Sequence, residues 1–591
     1  MSKQKKCVIL SIFFVCVIAA SSILIDGSSL DASSGADHKI KNVIILIGDG
    51  MGYQAAGLLE MYARYADNEV YPDKKTALSE IMEKGVIGNA LHNAQGVLVT
   101  DSAASATQMA SGKFSLSEAI GIDKDGHKTT TILEIAEEMG KSTGLVSDTR
   151  ITHATPAGFA AHQTHRTKEN EIAVDLLNSG ADVLLSGGLR YWIPQDISDM
   201  NPELYNELVE RTQGKILIKS KRKDDRNLLD EAGNKGYSVA LTKQEMEQAD
   251  GDKLLGLFQY SAFDYRIDIK DKINDPQRTI PTLKEMAQKS IEVLSKNENG
   301  FFLMVESGLI DWAEHDNDAG ALLYEMIRFD ETLKYLYNWV KDRDDTLFIV
   351  TADHETGSFG FSYSRRNIPE ESAFPGDFSN ELFSPKFSFG SFDILTKIAM
   401  QKKSYAAMLL DFSEQSGVDL YDRLNTGDVF TTDNCNVFRD IVNDNTEFDI
   451  TLEETKEILT TEVNEYKVDD HSYLGYNYFP KVNDYKEFYV YETEVFKDLI
   501  ARIVGKQQYA VWSTGTHTNT PVPIIALGPE NVTKGFGKMM HTTEWAQLAI
   551  DIMKNGDAGP VDDTRKFDLN GDGAVTLGDL IHFIKYFTGL N

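Results

Sequence analysis

Residues Thr100-Asp101-Ser102-Ala103-Ala104-Ser105-Ala106-Thr107 place a serine among small neighbours. Such a run suits close helix packing, and a serine hydroxyl is a weak nucleophile near neutral pH unless a base or a metal ion activates it. Further along the chain, Asp311 and His315 stand four residues apart. On one helical turn they face the same way and could share an ion. The plainer reading makes Asp311 a helix cap and His315 a solvated residue. Asp353-His354 at the end of an apolar run and His517 in a Thr-rich loop are each equally ordinary alone. Taken together, they describe a serine meeting a cluster of metal ligands, with Ser102 as a metal-activated nucleophile.

Such a cluster needs a scaffold that brings distant segments to one place. Val43–Ile47 is unbroken and β-branched, which predicts a buried strand, and Gly48-Asp49-Gly50-Met51-Gly52 predicts the turn after it. Further strands are expected at 143–147, 182–186, 301–306, 346–351 and 522–527, with helices at 131–139, 318–341 and 544–553. This alternation specifies an α/β sheet, where sites collect beyond the carboxyl ends of the strands. Asp49, Glu306, Asp353 and His354 all fall at or just after such ends. Buried carboxylates without partners are costly, so their recurrence there calls for a common function. Residues 358–513, rich in Tyr, Phe, Asp and Asn, lack the strand–helix rhythm and read as an insertion beside or above the site, or as an oligomer contact.

Composition narrows the function. The 591 residues carry 91 Asp and Glu against 59 Lys and Arg, a formal charge of −32. This argues against nucleic-acid binding through a general basic surface, while leaving room for a phosphate substrate at a site that holds its own cations. Lys3, Lys5 and Lys6 precede an apolar run from Cys7 to about Ile25. Residues 1–35 therefore read as a targeting segment, either a cleaved signal peptide or an uncleaved signal anchor that tethers the protein to a membrane. The expected location is secreted, periplasmic or cell-surface. Cys7 and Cys16 lie in that segment, leaving Cys435 alone, so no disulfide framework is expected.

The order Ile47-Gly48-Asp49-Gly50-Met51-Gly52, Thr100 to Thr107, His153-Ala154-Thr155-Pro156-Ala157, Val305-Glu306, Ile310-Asp311 and Thr351-Ala352-Asp353-His354-Glu355 resembles the alkaline phosphatases from about Lys39 to Met553. The resemblance implies a central, mostly parallel sheet flanked by helices, with a catalytic domain at 36–556 interrupted by the insertion. It implies one zinc held by Asp311, His315 and His517, a second held by Asp49, Asp353 and His354 beside Ser102, and a magnesium held by Asp49, Thr155 and Glu306. Arg166 resembles the family's phosphate-binding arginine, with Asp101 orienting it. The implied activity is hydrolysis of small-molecule phosphate monoesters through a phosphoserine. His153 and Trp312 stand where some members carry Asp and Lys, which puts the third ion's identity in question and removes a cation from the phosphate pocket. A phosphodiesterase of the same superfamily and a non-catalytic surface scaffold are the rival readings. A sulfatase lacks support, since no Cys-x-Pro-x-Arg motif is present. A homodimer is left open.

The C-terminal residues 557–591 carry a separate motif. Asp568, Asn570, Asp572, Thr576 and Asp579 occupy positions 1, 3, 5, 9 and 12 of a loop with Gly573 at position 6. That is the ligand spacing of a calcium loop. With the amphipathic Leu580 to Phe587 after it, the segment resembles half of a dockerin; the plainer reading is a solvated acidic turn before a short helix. One copy instead of two makes a cohesin-like partner a weak expectation and calcium binding the stronger one.

Overall fold

The computed structural model describes residues 40–556. The targeting segment and the calcium loop Asp568–Asp579 lie outside the described residues. Within them, the apolar runs form the centre of a ten-stranded sheet. Its strands are β1 Asn42–Gly48, β2 Val86–Leu91, β3 Ser142–Arg150, β4 Val183–Gly187, β5 Ser238–Ala240, β6 Leu254–Leu257, β7 Phe301–Ser307, β8 Thr346–Thr351, β9 Val522–Leu527 and β10 Met539–His541. The spatial order is β10-β2-β9-β8-β1-β7-β3-β4-β6-β5.

Strand β1 pairs in parallel with β7 (Val43 with Phe302) and with β8 (Val43 with Leu347). All seven of its residues are buried, which is why its sequence shows no polar alternation. Only β9 runs against its neighbours, antiparallel to both β2 and β8. The sheet is therefore mostly parallel and helix-flanked, as expected. The short strands β5, β6 and β10 and the half-exposed β2 escape sequence reading because three to six residues with partial burial carry too little periodicity.

Four helices frame the carboxyl ends of the central strands: α1 Ser102–Ser111, α2 Ala154–Ala160, α3 Leu309–His315 and α4 Ala319–Val340. Every residue of α1 and α2 is buried, and Gly158 lets the two backbones approach, since a Cβ there would lie 2.7 Å from the Ala106 Cβ. The small residues around Ser102 are thus a packing requirement as well as a chemical setting.

Residues 358–513 mix long loops with helices, among them Tyr405–Ser416, Thr432–Asn445 and Glu494–Gln508. Two core carboxylates fasten this segment. Asp318, which caps α4, accepts from Tyr405 N (2.7 Å) and Gln401 Nε2 (2.8 Å), and Asp268 accepts from Ser404 N (2.8 Å) and Ser404 Oγ (2.7 Å). Cys435 is a buried free thiol. Among the described residues no helix is long and apolar enough to cross a membrane.

Candidate active site

The turns after β1 and β8 are tied to each other. Gly50 N donates to Asp353 Oδ1 (3.1 Å), and the same oxygen accepts from His354 N (2.9 Å). Gly50 adopts φ +78°, and a Cβ there would sit 2.8 Å from the Asp311 Cα. Only glycine fits both the conformation and the close approach of α3. Helix α1 is docked on this pair through Ser105 Oγ, which donates to the Asp353 carbonyl (2.7 Å). Asp101 caps α1, its Oδ1 accepting from Ala103 N (2.8 Å), while Oδ2 accepts from Glu118 N (2.7 Å). Its carboxylate also lies 3.7 Å from Arg166 Nη1. Ser102 is the first residue of α1, with its Oγ 3.2 Å from His354 Nε2. An anion formed on that oxygen would face the positive end of the helix dipole.

Three groups of potential ligands converge here: Asp311, His315 and His517; Asp49, Asp353 and His354; and Asp49, His153 and Glu306. Hydrogen bonding tests whether they suit cations. His315 Nδ1 faces the Gly515 carbonyl (2.8 Å) and His517 Nδ1 faces the Thr100 carbonyl (2.9 Å). A carbonyl only accepts, so both protons sit on Nδ1 and both Nε2 atoms carry bare lone pairs. Those two lone pairs point together at 3.1 Å, with Asp311 Oδ1 at 3.4 Å and 3.6 Å from them. Three acceptors converging without a donor are a repulsive arrangement that a cation resolves. The second group repeats the pattern. Thr356 Oγ1 donates to Asp311 Oδ1 (2.6 Å) and can take the His354 Nδ1 proton at 3.3 Å, leaving His354 Nε2 toward Asp353 Oδ2 (3.1 Å) and Asp49 Oδ1 (3.5 Å). Asp49 Oδ1, Asp353 Oδ2 and Glu306 Oε1 are buried oxygens with no hydrogen-bond partner. Imidazole with carboxylate is a donor set for transition metals such as zinc, and oxygen-rich sets suit hard cations such as magnesium.

Electrostatics point the same way. Burial, then Asp353, Asp311 and Glu306, drive Asp49 far above the ordinary carboxylate range. Burial pushes Glu306 up to about 7. Burial also opposes the ionisation of Asp311, whose carboxyl falls below its usual range only when His315, His517 and His354 carry positive charge, the charge a cation on their bare nitrogens would supply instead. Four carboxylates in one buried space thus compete for too little positive charge.

The third group contains a refinement. Thr155 Oγ1 donates to Asp49 Oδ2 (3.3 Å), and Glu306 Oε2 accepts from Ser147 Oγ and from Thr149 Oγ1 (3.2 Å). Arg166 Nη2 donates to His153 Nε2 (3.1 Å), so the His153 proton is fixed on Nδ1, a buried atom without a partner. A protonated nitrogen cannot ligate; it can donate to a water. Trp312 sets its ring edge-on to His153, centroids 6.0 Å apart. Ser102, Asp101, His153, Arg166, Asp311, Trp312, His315 and His517 all line one cavity of about 1210 Å³.

Several contributors escape sequence reading. Ser147 and Thr149 occupy alternate positions of β3, and two hydroxyls on one face of an apolar strand were the available signal. Glu314 is buried beside Glu355, Asp311 and Asp353 with neither oxygen partnered, and burial followed by those charges pushes its carboxyl well above the ordinary carboxylate range. Tyr473 and Tyr491, from the insertion, also line the cavity; nothing in their local sequence marks them.

A family model described as alkaline phosphatase matches residues 40–549. Alkaline phosphatase 3 of Bacillus subtilis is 35% identical over 353 residues, 58% of this chain and 66% of that relative. Alkaline phosphatase 4 of the same organism is 32% identical over 65% of this chain and 79% of the relative. The repressible alkaline phosphatase of Saccharomyces cerevisiae is 31% identical over 65% of this chain and 67% of its own. The chain thus spans about two thirds of the length of the first of these relatives. Among solved structures, Thermus thermophilus alkaline phosphatase shares the fold with TM-score 0.63 at 22% identity, covering 90% of this chain and 95% of its own. The cold-active enzyme of a Shewanella species does so with TM-score 0.59 at 24% identity, covering 87% and 99%.

Proposed function

The chain belongs to the alkaline phosphatase family, and on that premise we propose that it is an exported phosphomonoesterase that splits phosphate monoesters through a phosphoserine at Ser102. The catalytic domain is residues 36–556 with an insertion at 358–513, and the tail from 557 is a calcium-binding module. Asp311, His315 and His517 would hold one zinc, Asp49, Asp353 and His354 a second, and Asp49, Thr155 and Glu306 a magnesium. When bound, these ions supply positive charge to the attacking, leaving and phosphoryl oxygens, as two-metal sites do for in-line displacement.

The chain's own groups do the rest. Ser102 Oγ gives up its proton to water as it attacks phosphorus and the ester P–O bond breaks; the departing alkoxide takes a proton back from water, so the alcohol leaves and the phosphoryl group stays on Ser102. A water then attacks phosphorus, restoring the Ser102 hydroxyl and releasing inorganic phosphate. Arg166, set by Asp101 and His153, offers a planar fork to two non-bridging oxygens. The N-terminus of α1 favours the phosphoserine's charge. His153 Nδ1–H is placed to orient a water at the third group instead of ligating there. Trp312 supplies a neutral wall, which leaves product phosphate less tightly held than a lysine would.

The observation that carries this reading is the Ser102 oxygen at 3.2 Å from His354 Nε2, inside the Asp49, Asp353 and His354 group. In the test, Ser102→Ala loses phosphoenzyme labelling and at least about 10³-fold of aryl phosphate turnover while keeping its zinc. Retained labelling, or faster hydrolysis of a bis-aryl diester than of the monoester by metal-replete protein, would overturn the reading.

A further inference from the structure

The insertion places two aromatic rings where the alcohol half of an ester must leave. Tyr491 sets its ring edge-on against His315, centroids 5.1 Å apart at 88°. Tyr473 packs in the same way on Tyr491, 5.1 Å apart at 87°, and His471 backs Tyr473 at 6.2 Å. Tyr473 is 46% exposed and stands at the cavity mouth, whereas Tyr491 is mostly buried.

In-line displacement fixes what these rings face. Ser102 approaches phosphorus from beside Asp49, Asp353 and His354, so the departing oxygen points away from it, toward Asp311, His315 and His517. Tyr491 packs on His315, and Tyr473 continues that wall outward. Among the described residues, a second anion on the substrate would find no free cation along this path. Arg150 is forked by Glu169 (2.8 and 3.2 Å), and Lys497 is paired with Asp316. Planar apolar surface is what the wall offers.

Resting on the monoesterase reading, we infer that Tyr473 and Tyr491 form an aromatic subsite for the alcohol half, selecting monoesters of alcohols that carry a planar ring, such as phenols and nucleosides, over those of small aliphatic alcohols. Tyr473 is the residue to vary, because Tyr491 touches a candidate ligand and its replacement would disturb the metal centre as well.

The experiment measures kcat/KM of the full-length, metal-replete protein for phenyl phosphate, adenosine 5′-monophosphate and glycerol 1-phosphate, in the wild type, Tyr473→Leu and Tyr473→Phe. Comparing each variant with the wild type cancels the intrinsic reactivity of the three esters. Tyr473→Leu should lower the ratio of phenyl or nucleoside ester to glycerol ester by about tenfold, the scale of one stacking contact. Tyr473→Phe, which keeps the ring, should hold that ratio within about twofold. An unchanged ratio in Tyr473→Leu overturns the subsite, and so does a Tyr473→Phe variant that shifts it equally, since the hydroxyl would then be responsible. Failure of the monoesterase reading itself looks different: the wild type would turn over none of the three esters.

Discussion

Two clusters of buried charge lie on opposite faces of β3, and they are built on opposite principles. Ser147 and Thr149 point to Glu306, Asp49 and the ligand groups; Asp148, between them, points the other way. On that second face Asp148 accepts from Gly308 N (2.6 Å) and Arg328 Nη1 (3.3 Å), Arg328 lies 3.1 Å from Glu325 Oε2, and Arg328 Nη2 donates to the Asp264 carbonyl (2.8 Å). Protein cations answer protein anions there. On the first face, Asp49 Oδ1, Asp353 Oδ2 and Glu306 Oε1 have no partner, and two imidazole lone pairs face each other. One cluster is thus answered in large part by the chain's own Arg328, and the other needs charge from outside. Desolvated carboxylates are kept at the open cluster because an ion, when present, more than offsets the cost of burying them.

Breaking the open cluster should give the largest effect, and one of mixed sign. Asp49→Asn removes a ligand shared by two groups, so turnover of an aryl phosphate should fall more than about 100-fold. In chelator the same variant should be more stable than the wild type by about 1 kcal/mol, read from urea denaturation, because one of the mutually repelling acids is gone. A chelated variant less stable than chelated wild type would contradict the contrast.

Breaking the closed cluster should destabilise whatever the metal content. Arg328→Met leaves Asp148 and Glu325 buried without their cation, at a cost of about 3–5 kcal/mol with or without chelator. Should the loss appear only in the metal-replete protein, the two faces would not be independent.

A smaller effect is a pH dependence. In chelated protein Glu306, pushed up to about 7, and Asp49, pushed well above the ordinary carboxylate range, bind protons more tightly in the fold than in the unfolded chain. Their contribution to stability is full below the ordinary carboxylate pKa of about 4, and that of Glu306 is lost as pH rises through about 7. Bound cations reverse the sign, because ligands must deprotonate to bind. The Tm gap between replete and chelated protein should therefore widen from about pH 5.5 to about pH 8. Scanning calorimetry at several pH values measures it, and a gap that narrows would speak against the cation assignment.

Much of this molecule is legible before it folds. Unbroken β-branched runs such as Val43–Ile47 announce strands buried on both faces, and Asp49, Glu306 and Asp353 mark their carboxyl ends, where polar residues follow the apolar run. What resists reading is whatever depends on long-range approach. Strand β6 has four residues and no distinguishing pattern. Tyr473 and Tyr491 lie in a helical and looped segment whose path over the cavity is set by anchors such as Asp318 and Asp268, far away in sequence. Asp148 and Arg328 are 180 residues apart and meet only because the fold carries the end of β3 within reach of an α4 side chain.

Residue type and local periodicity were enough to expect the central strands of the sheet and to single out Ser102 and the side chains that could bind metal. The protonation of those side chains was settled only on folding. His315 and His517 present bare Nε2 atoms because the carbonyls of Gly515 and Thr100 hold their other nitrogens, and His153 is turned into a donor because Arg166 occupies its Nε2. Such choices are hydrogen bonds between distant segments, and no local stretch of chain encodes them.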